Sequence, residues 1–345
     1  KSLVLCAVCA EASPDIIFTS PESLNSLYAT LATFSARTEA LLLQPDTSSI
    51  AVIRPKRGTD KLRIAWVSPA PGERSGIADY TKNLLPDLDK LTRTTLVIDS
   101  TLLPNTSYHD VIGNHQLLAD PHAYDIVVYN IGNSPAHTWM LELMQAVPGL
   151  VIAHELQLGH LFNHYHSING NCLTSEFFAE YGLKNINSFT SIPEAVENAQ
   201  HSCYAFQHQI GYILHNQVSS HAFQELHTLA NADMIKYIPM PWPARKYFLS
   251  QKQARAKLNI REGALAIFSF GNINPHKMSD LIAEAAARYS VIQDRDVALF
   301  FVGSCDDLAT KRRLTAVQRE PHNQLTIAVT GFVSEHEYHL CLSAA

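Results

Sequence analysis

At 345 residues, 46% of them apolar, the chain is long enough for about two domains with sizeable cores. A formal charge of −6, with no cluster of lysine or arginine, gives no electrostatic case for nucleic acid or an anionic membrane as partner. No apolar run approaches the ~20 residues of a membrane-spanning helix, and the opening KSLVLCAVCAEASPD lacks the charged region of a signal peptide.

In chain order, Cys6 and Cys9 form a CxxC pair. Without a second pair, and among apolar neighbours, they read as buried small hydrophobes rather than a zinc or redox site. The cysteine usage fits reduced thiols in a cytoplasm. Ser23–Leu43 has helical spacing after Pro21-Glu22, and the polar PKRGTD over Pro55–Asp60 reads as a linker. Leu62, Ile64, Ala65, Trp66 and Val67 then predict a buried parallel strand. Turn residues follow, then Ser75-Gly76 and a helical pattern through Ala78, Leu84, Leu85 and Leu88. Strand, glycine-bearing loop and helix start place backbone N–H groups where they can face an anion.

From 62 to about 235, strands alternate with helical patterns. The clearest strands are Leu62–Val67, Leu96–Ile98, Ile126–Asn130, Leu150–His154 and Tyr212–His215. Such alternation predicts a parallel sheet with helices on both faces. Residues 161–210 carry the polar and aromatic character of helices over an acceptor cleft. Ile238–Pro243, IPMPWP, breaks the pattern and reads as an interdomain hinge. A second series follows: strand Leu265–Phe270, helix 278–289, strand Val297–Val302, helix 307–318, strand Leu325–Val329, and a helix starting at Glu335.

Four stretches in this order carry a family resemblance: LRIAWVSPAPGERSGIADY from Leu62, YDIVVYNIGNSP from Tyr124, VIAHELQLGH from Val151, and AIFSFGNINPHK from Ala266. Together they resemble the retaining GT-B glycosyltransferases of group 1, or family 4, over roughly residues 62 to 345. The resemblance implies an α/β, GT-B-like chain of two Rossmann-type parallel-sheet domains, the second truncated. The expected divisions are 1–60, an N-terminal extension or the tail of an upstream glycosyltransferase unit plus linker; 61–235, the acceptor-side domain; and 236–345, a partial nucleotide-sugar domain. It implies a hexosyltransferase-type enzyme of glycan biosynthesis, cytoplasmic or at the inner membrane face. The enzyme would move a sugar from a nucleotide-sugar donor to a saccharide or other hydroxyl acceptor with retention. The nucleotide-sugar is the substrate, and neither cofactor nor metal is implied. An adjacent glycosyltransferase domain of the same parent chain is a further expected partner.

The resemblance also assigns residues. His154, at the end of an apolar strand where α/β sheets place ligand contacts, would touch the donor sugar, and Glu155 would orient the imidazole or meet acceptor hydroxyls. Ser75, Gly76, Gly271, Asn272 and Lys277 would line the donor site, with Lys277 offsetting the charge of the leaving diphosphate. Asn272 stands where the family has an arginine, and this departure is the best support for a competing reading as a non-catalytic saccharide- or partner-binding module. Asn133, in Gly132-Asn133-Ser134-Pro135, would face the acceptor, although the run also reads as a helix start with Ser134 as cap.

Other chemistries lack their spacing. His154-Glu155 begins like the zinc-protease HExxH, but Leu158 occupies the position of the second histidine. No GxGxxG follows a strand and no Walker A pattern is present. The seventeen histidines show no ligand spacing. The family's paired donor-site glutamates are expected beyond Ala345, since Glu335 and Glu337 stand too close together, so the 1–345 piece alone is expected to be nearly inactive.

Overall fold

The structure is a computed structural model that describes residues 25–34, 61–73, 75–102, 110–169, 206, 208–226, 234–240, 249–321 and 324–345. It divides into two compact units, residues 1–244 and 245–345.

The first unit carries a wholly parallel seven-stranded sheet among its described residues. Its elements are helix α1 (25–34), β1 (Arg63–Val67), α2 (Gly76–Leu91), β2 (Arg93–Ile98), β3 (Val111–Gly113), α3 (Asn114–Ala119), β4 (Ile126–Ile131), α4 (Thr138–Ala146), β5 (Leu150–Ala153), α5 (Gly159–Asn169), β6 (Gly211–Leu214), α6 (Gln217–Leu226) and β7 (Ile235–Tyr237). The spatial order is β3-β2-β1-β4-β5-β6-β7. All six residues of β4 are buried, as the continuous apolar run of a central parallel strand requires.

Alternate strand residues feed two cores, because successive side chains leave opposite faces of a sheet. Ala65, Val67, Val127, Tyr129, Val151 and Leu214 pack on one side with Leu141 and Met144 of α4 and Leu161 and Phe162 of α5. Ile64, Trp66, Val128, Ile152 and Ile213 pack on the other with Leu84, Leu85 and Leu88 of α2. The same second core takes Leu27, Leu31 and Phe34 from α1, spaced along one helical face. At the bottom of the sheet Asp125 holds Arg63 twice: its Oδ2 accepts from the Arg63 backbone N–H at 2.8 Å, and its Oδ1 lies 2.6 Å from the guanidinium.

The second unit has α7 (Gln251–Lys257), β8 (Leu265–Phe270), α8 (Ser279–Ile292), β9 (Val297–Val302), α9 (Leu308–Gln318), β10 (Leu325–Val329) and α10 (Glu335–Ala344). Its described strands pair in parallel in the order β10-β9-β8. Leu299 and Phe301 pack against Ala283 and Ala287 of α8 and Leu314 of α9. On the opposite face Phe268 stacks on Phe300, with ring centroids 4.8 Å apart.

Each unit is therefore a Rossmann-type parallel α/β body, as the strand-helix alternation predicts. The first unit runs to Ala244, and Ile235–Tyr237, paired with Gly211–Leu214, belongs to its sheet. Part of the 1–60 segment, α1, lies inside the core of the first unit. Strands β3 and β7 and helix α7 add to the predicted elements. The linker at Pro55–Asp60, the CxxC pair, most of the 161–210 stretch and the Pro-rich 241–243 lie outside the described residues. Cys305 and Cys341 are buried free thiols.

Candidate functional site

In the first sheet the chain runs outward from β1 through β2 to β3, then returns to place β4 on the other side of β1. This reversal opens a crevice at the carboxyl ends of β1 and β4, the position where open α/β sheets bind ligands. The loops that follow these two strands carry the Ser75-Gly76 and Gly132-Asn133 runs.

Ser75 caps α2, its hydroxyl accepting from the Ile77 N–H at 3.2 Å. Gly76 is the first residue of that helix, and a β-carbon there would meet nothing within 4 Å. Gly132 is the more crowded of the two loop glycines. A β-carbon on Gly132 would lie 2.5 Å from Ile77 Cδ1 and 3.4 Å from His137 Cε1, so the two loops touch through this residue. Asn133 reaches along the crevice, and its Oδ1 accepts from the Leu161 N–H at 2.9 Å in the first turns of α5. Ser134 begins the short turn Pro135–His137 and places its hydroxyl 3.0 Å from His137 Nδ1.

His154 follows β5 directly, and its N–H donates to the Ile131 carbonyl at 3.0 Å, continuing the ladder with β4. Its imidazole meets two further rings. The Tyr80 ring, from α2, stands edge-on at 4.8 Å with an interplanar angle of 81°. The His215 ring, directly after β6, lies at 5.3 Å and is itself 5.5 Å from Tyr80. His215 is anchored by its Nδ1, which donates to the Ile238 carbonyl at 2.8 Å. Trp66 lies near-parallel behind Tyr80 at 6.4 Å, and its Nε1–H donates to Thr81 Oγ1 at 3.1 Å. Glu155 is exposed at the mouth of the same loop.

Burial decides the electrostatics here. It pushes His154 down to about 3, with the neighbouring His215 and His137 adding to the effect. It pushes His137 down to about 4 and lowers His215 as well. The three imidazoles are therefore neutral near pH 7. Tyr80 is shifted upward by the same desolvation and keeps its proton. Tyr80 Oη, Asn130 Oδ1 and the Nε2 atoms of His137, His154 and His215 are buried and make no hydrogen bond. Buried polar atoms normally find partners, so five orphans at one set of strand ends mark a place built for polar contacts beyond the fold's own. No group of three His, Cys, Asp or Glu among the described residues is arranged to hold a metal ion.

In the second unit the residues expected on the donor side, Gly271, Asn272 and Lys277, follow the end of β8. Gly271 adopts a left-handed φ of 105°, and its N–H donates to the Val302 carbonyl at 3.0 Å. Asn274 Oδ1 accepts from the Lys277 N–H at 3.1 Å, which closes the turn Pro275–Lys277 ahead of α8. The turn folds Lys277 back, so its Nζ lies 4.0 Å from where a Gly271 β-carbon would stand. Gly271, Asn272 and Lys277 are all exposed. The structure thus joins Gly271 with Lys277, and joins His154 with Tyr80, His137 and His215. Sequence reasoning did not single out these last three. For His215, directly after β6, and His137, in the turn after β4, that position was the available signal, whereas Tyr80 lies within α2.

No protein-family model and no curated protein matches this chain. Among solved structures it is similar to HepE of Anabaena in complex with UDP and glucose, at 15% identity over 82% of this chain and 72% of that one, TM-score 0.42. It is also similar to a putative UDP-N-acetylglucosamine 2-epimerase of Listeria monocytogenes, at 11% identity over 82% and 72% of the two chains, TM-score 0.45. A third is an alpha-glucosyltransferase in complex with UDP and a mismatched 13-mer DNA, at 10% identity over 82% and 69%, TM-score 0.42. At identities of 10–15% these structures define neither a reaction nor a ligand for this chain.

Proposed function

We propose that the chain takes part in sugar transfer from a nucleotide-sugar to an acceptor hydroxyl with retained configuration, as a GT-B glycosyltransferase of the group 1, or family 4, type. The observation that carries this reading is His154 at the carboxyl end of β5 with its Nε2 buried and unpartnered. This is the residue that the resemblance assigns to the donor sugar. A neutral imidazole suits that role, because it exchanges hydrogen bonds with sugar hydroxyls without adding charge beside the reacting centre. In this reading Lys277, over the exposed Gly271 turn, meets the diphosphate and offsets charge on the departing group. Glu155 and Asn133 face the acceptor, and Ser75 and Gly76 contribute the amide-bearing helix start on the donor side.

Retention fits attack by the acceptor on the face that the diphosphate leaves, with the leaving phosphate oxygen taking the acceptor proton. His154 then positions groups and forms no bond to sugar. Asn272, exposed in place of the family's arginine, favours the second reading of a binding module without turnover. Titration calorimetry of the full-length protein with uridine and guanosine diphosphates, followed by transfer assays with the matching sugar nucleotides, separates the two. Nucleotide binding with turnover supports the enzyme. Saccharide binding with no nucleotide affinity supports the module and overturns the transferase reading.

A further inference from the structure

We propose that Tyr80 and His215 are positioning residues for His154, their two rings fixing the orientation that its imidazole takes at the end of β5. The inference rests on the reading of His154 as a sugar-contacting residue. Its geometric basis is separate from that reading.

An imidazole side chain can turn about two bonds, Cα–Cβ and Cβ–Cγ. Here the turning is blocked on two sides. The edge-on Tyr80 ring at 4.8 Å and the tilted His215 ring at 5.3 Å meet the His154 ring from different elements, α2 and the β6 loop. Each of these rings is itself held. His215 cannot rotate without losing its 2.8 Å bond to the Ile238 carbonyl. Tyr80 sits against Trp66, whose indole is tied to Thr81, the residue after Tyr80. A reacting group needs supporting neighbours that are themselves locked, and this chain of Trp66, Tyr80, His154, His215 and Ile238 supplies them.

Tyr80 Oη and the Nε2 atoms of His154 and His215 are buried without partners in this cluster, so on those sides the rings are placed by packing against one another. The titratable groups facing His154 are His137, His215 and Tyr80. Lowering the burial around His154 should therefore bring its titration back toward the ordinary histidine range.

The test uses the full-length protein with Tyr80→Leu, His215→Leu and Tyr80→Phe. Imidazole proton resonances of His154, assigned with His154→Gln, are followed against pH, and steady-state transfer kinetics are measured alongside. The expected result is a His154 titration midpoint raised by one pH unit or more, roughly tenfold in proton affinity, in both leucine variants. With it, kcat falls about tenfold and KM changes less than about threefold. Tyr80→Phe, which keeps the ring, restores most of the turnover. Leucine variants with an unmoved His154 titration and unchanged kcat overturn the proposal, as does a Tyr80→Phe protein as impaired as Tyr80→Leu. Should Tyr80→Leu fail to fold, His215→Leu decides alone. Should the unmodified protein show no transfer, the transferase reading falls and the ring resonances still decide. A single sharp His154 set that broadens or splits in both leucine variants keeps the positioning role, and an unchanged sharp set overturns it.

Discussion

Gly303 approaches Gly271 so closely that a β-carbon on Gly303 would overlap the Gly271 carbonyl. The ends of β8 and β9 are thus in backbone contact. Gly303→Ala should force the backbone apart at a cost of about 1–3 kcal/mol. Urea denaturation followed by hydrogen exchange across 265–303 checks this. The expected result is a lower midpoint together with weakened nucleotide affinity.

His154→Ala should lower turnover by at least about tenfold, equivalent to ~1.4 kcal/mol of transition-state contact, without unfolding the first unit. A variant with unchanged turnover and an unchanged melting curve removes His154 from the active-site assignment.

Acid should destabilise the first unit earlier than its carboxylates require. In the unfolded chain His154 and His137 titrate near 6.5, whereas folding holds them at about 3 and about 4. Their contribution is present in full above about pH 6.5 and is lost as pH falls toward those folded values. The stability slope should reach about 1.4 kcal/mol per pH unit for each group between roughly pH 4 and pH 6. Urea midpoints across that range measure it. His137→Leu should flatten the slope, and a slope identical to that of the unmodified protein would count against the burial assigned to His137.

Phe34 of α1 and Gly211 of β6 are matched in size, since a β-carbon on Gly211 would fall into the Phe34 ring. Gly211→Ala should destabilise the first unit by about 1–3 kcal/mol through overpacking. Phe34→Ala should cost about 3–5 kcal/mol by leaving a cavity. The double variant should lose less than the sum, because the added methyl enters the space that the ring vacates. Additive losses would show that the two residues do not share that space.

Much of this was legible in the sequence because parallel sheets write long apolar runs. LAIFSF and VALFFV are strands over the residues read for them, Leu265–Phe270 and Val297–Val302. Ser134, read as a cap, stands at the start of its turn without a side-chain cap bond, whereas Ser75, read for the donor side, caps α2. Strands β3 and β7 escaped notice because three residues give no period to detect. The ring cluster escaped for a different reason. Tyr80, His137, His154 and His215 come from four loops or helices, and only the sheet order brings them together. Gly132 lies so close to Ile77 of α2 that a β-carbon there would push that side chain aside, a tertiary contact with no local signature.

The clasp between Arg63 and Asp125 bears on how fast the chain can fold. Strands β1 and β2 can pair across a single helix, but β1 and β4 must meet across some sixty intervening residues, an entropic cost that grows with the loop. Such non-local pairings slow folding. The register of this one is fixed at its first residue, where Asp125 takes both the backbone N–H and the guanidinium of Arg63. The central seam of the sheet thus carries its own latch, at the end opposite the crevice.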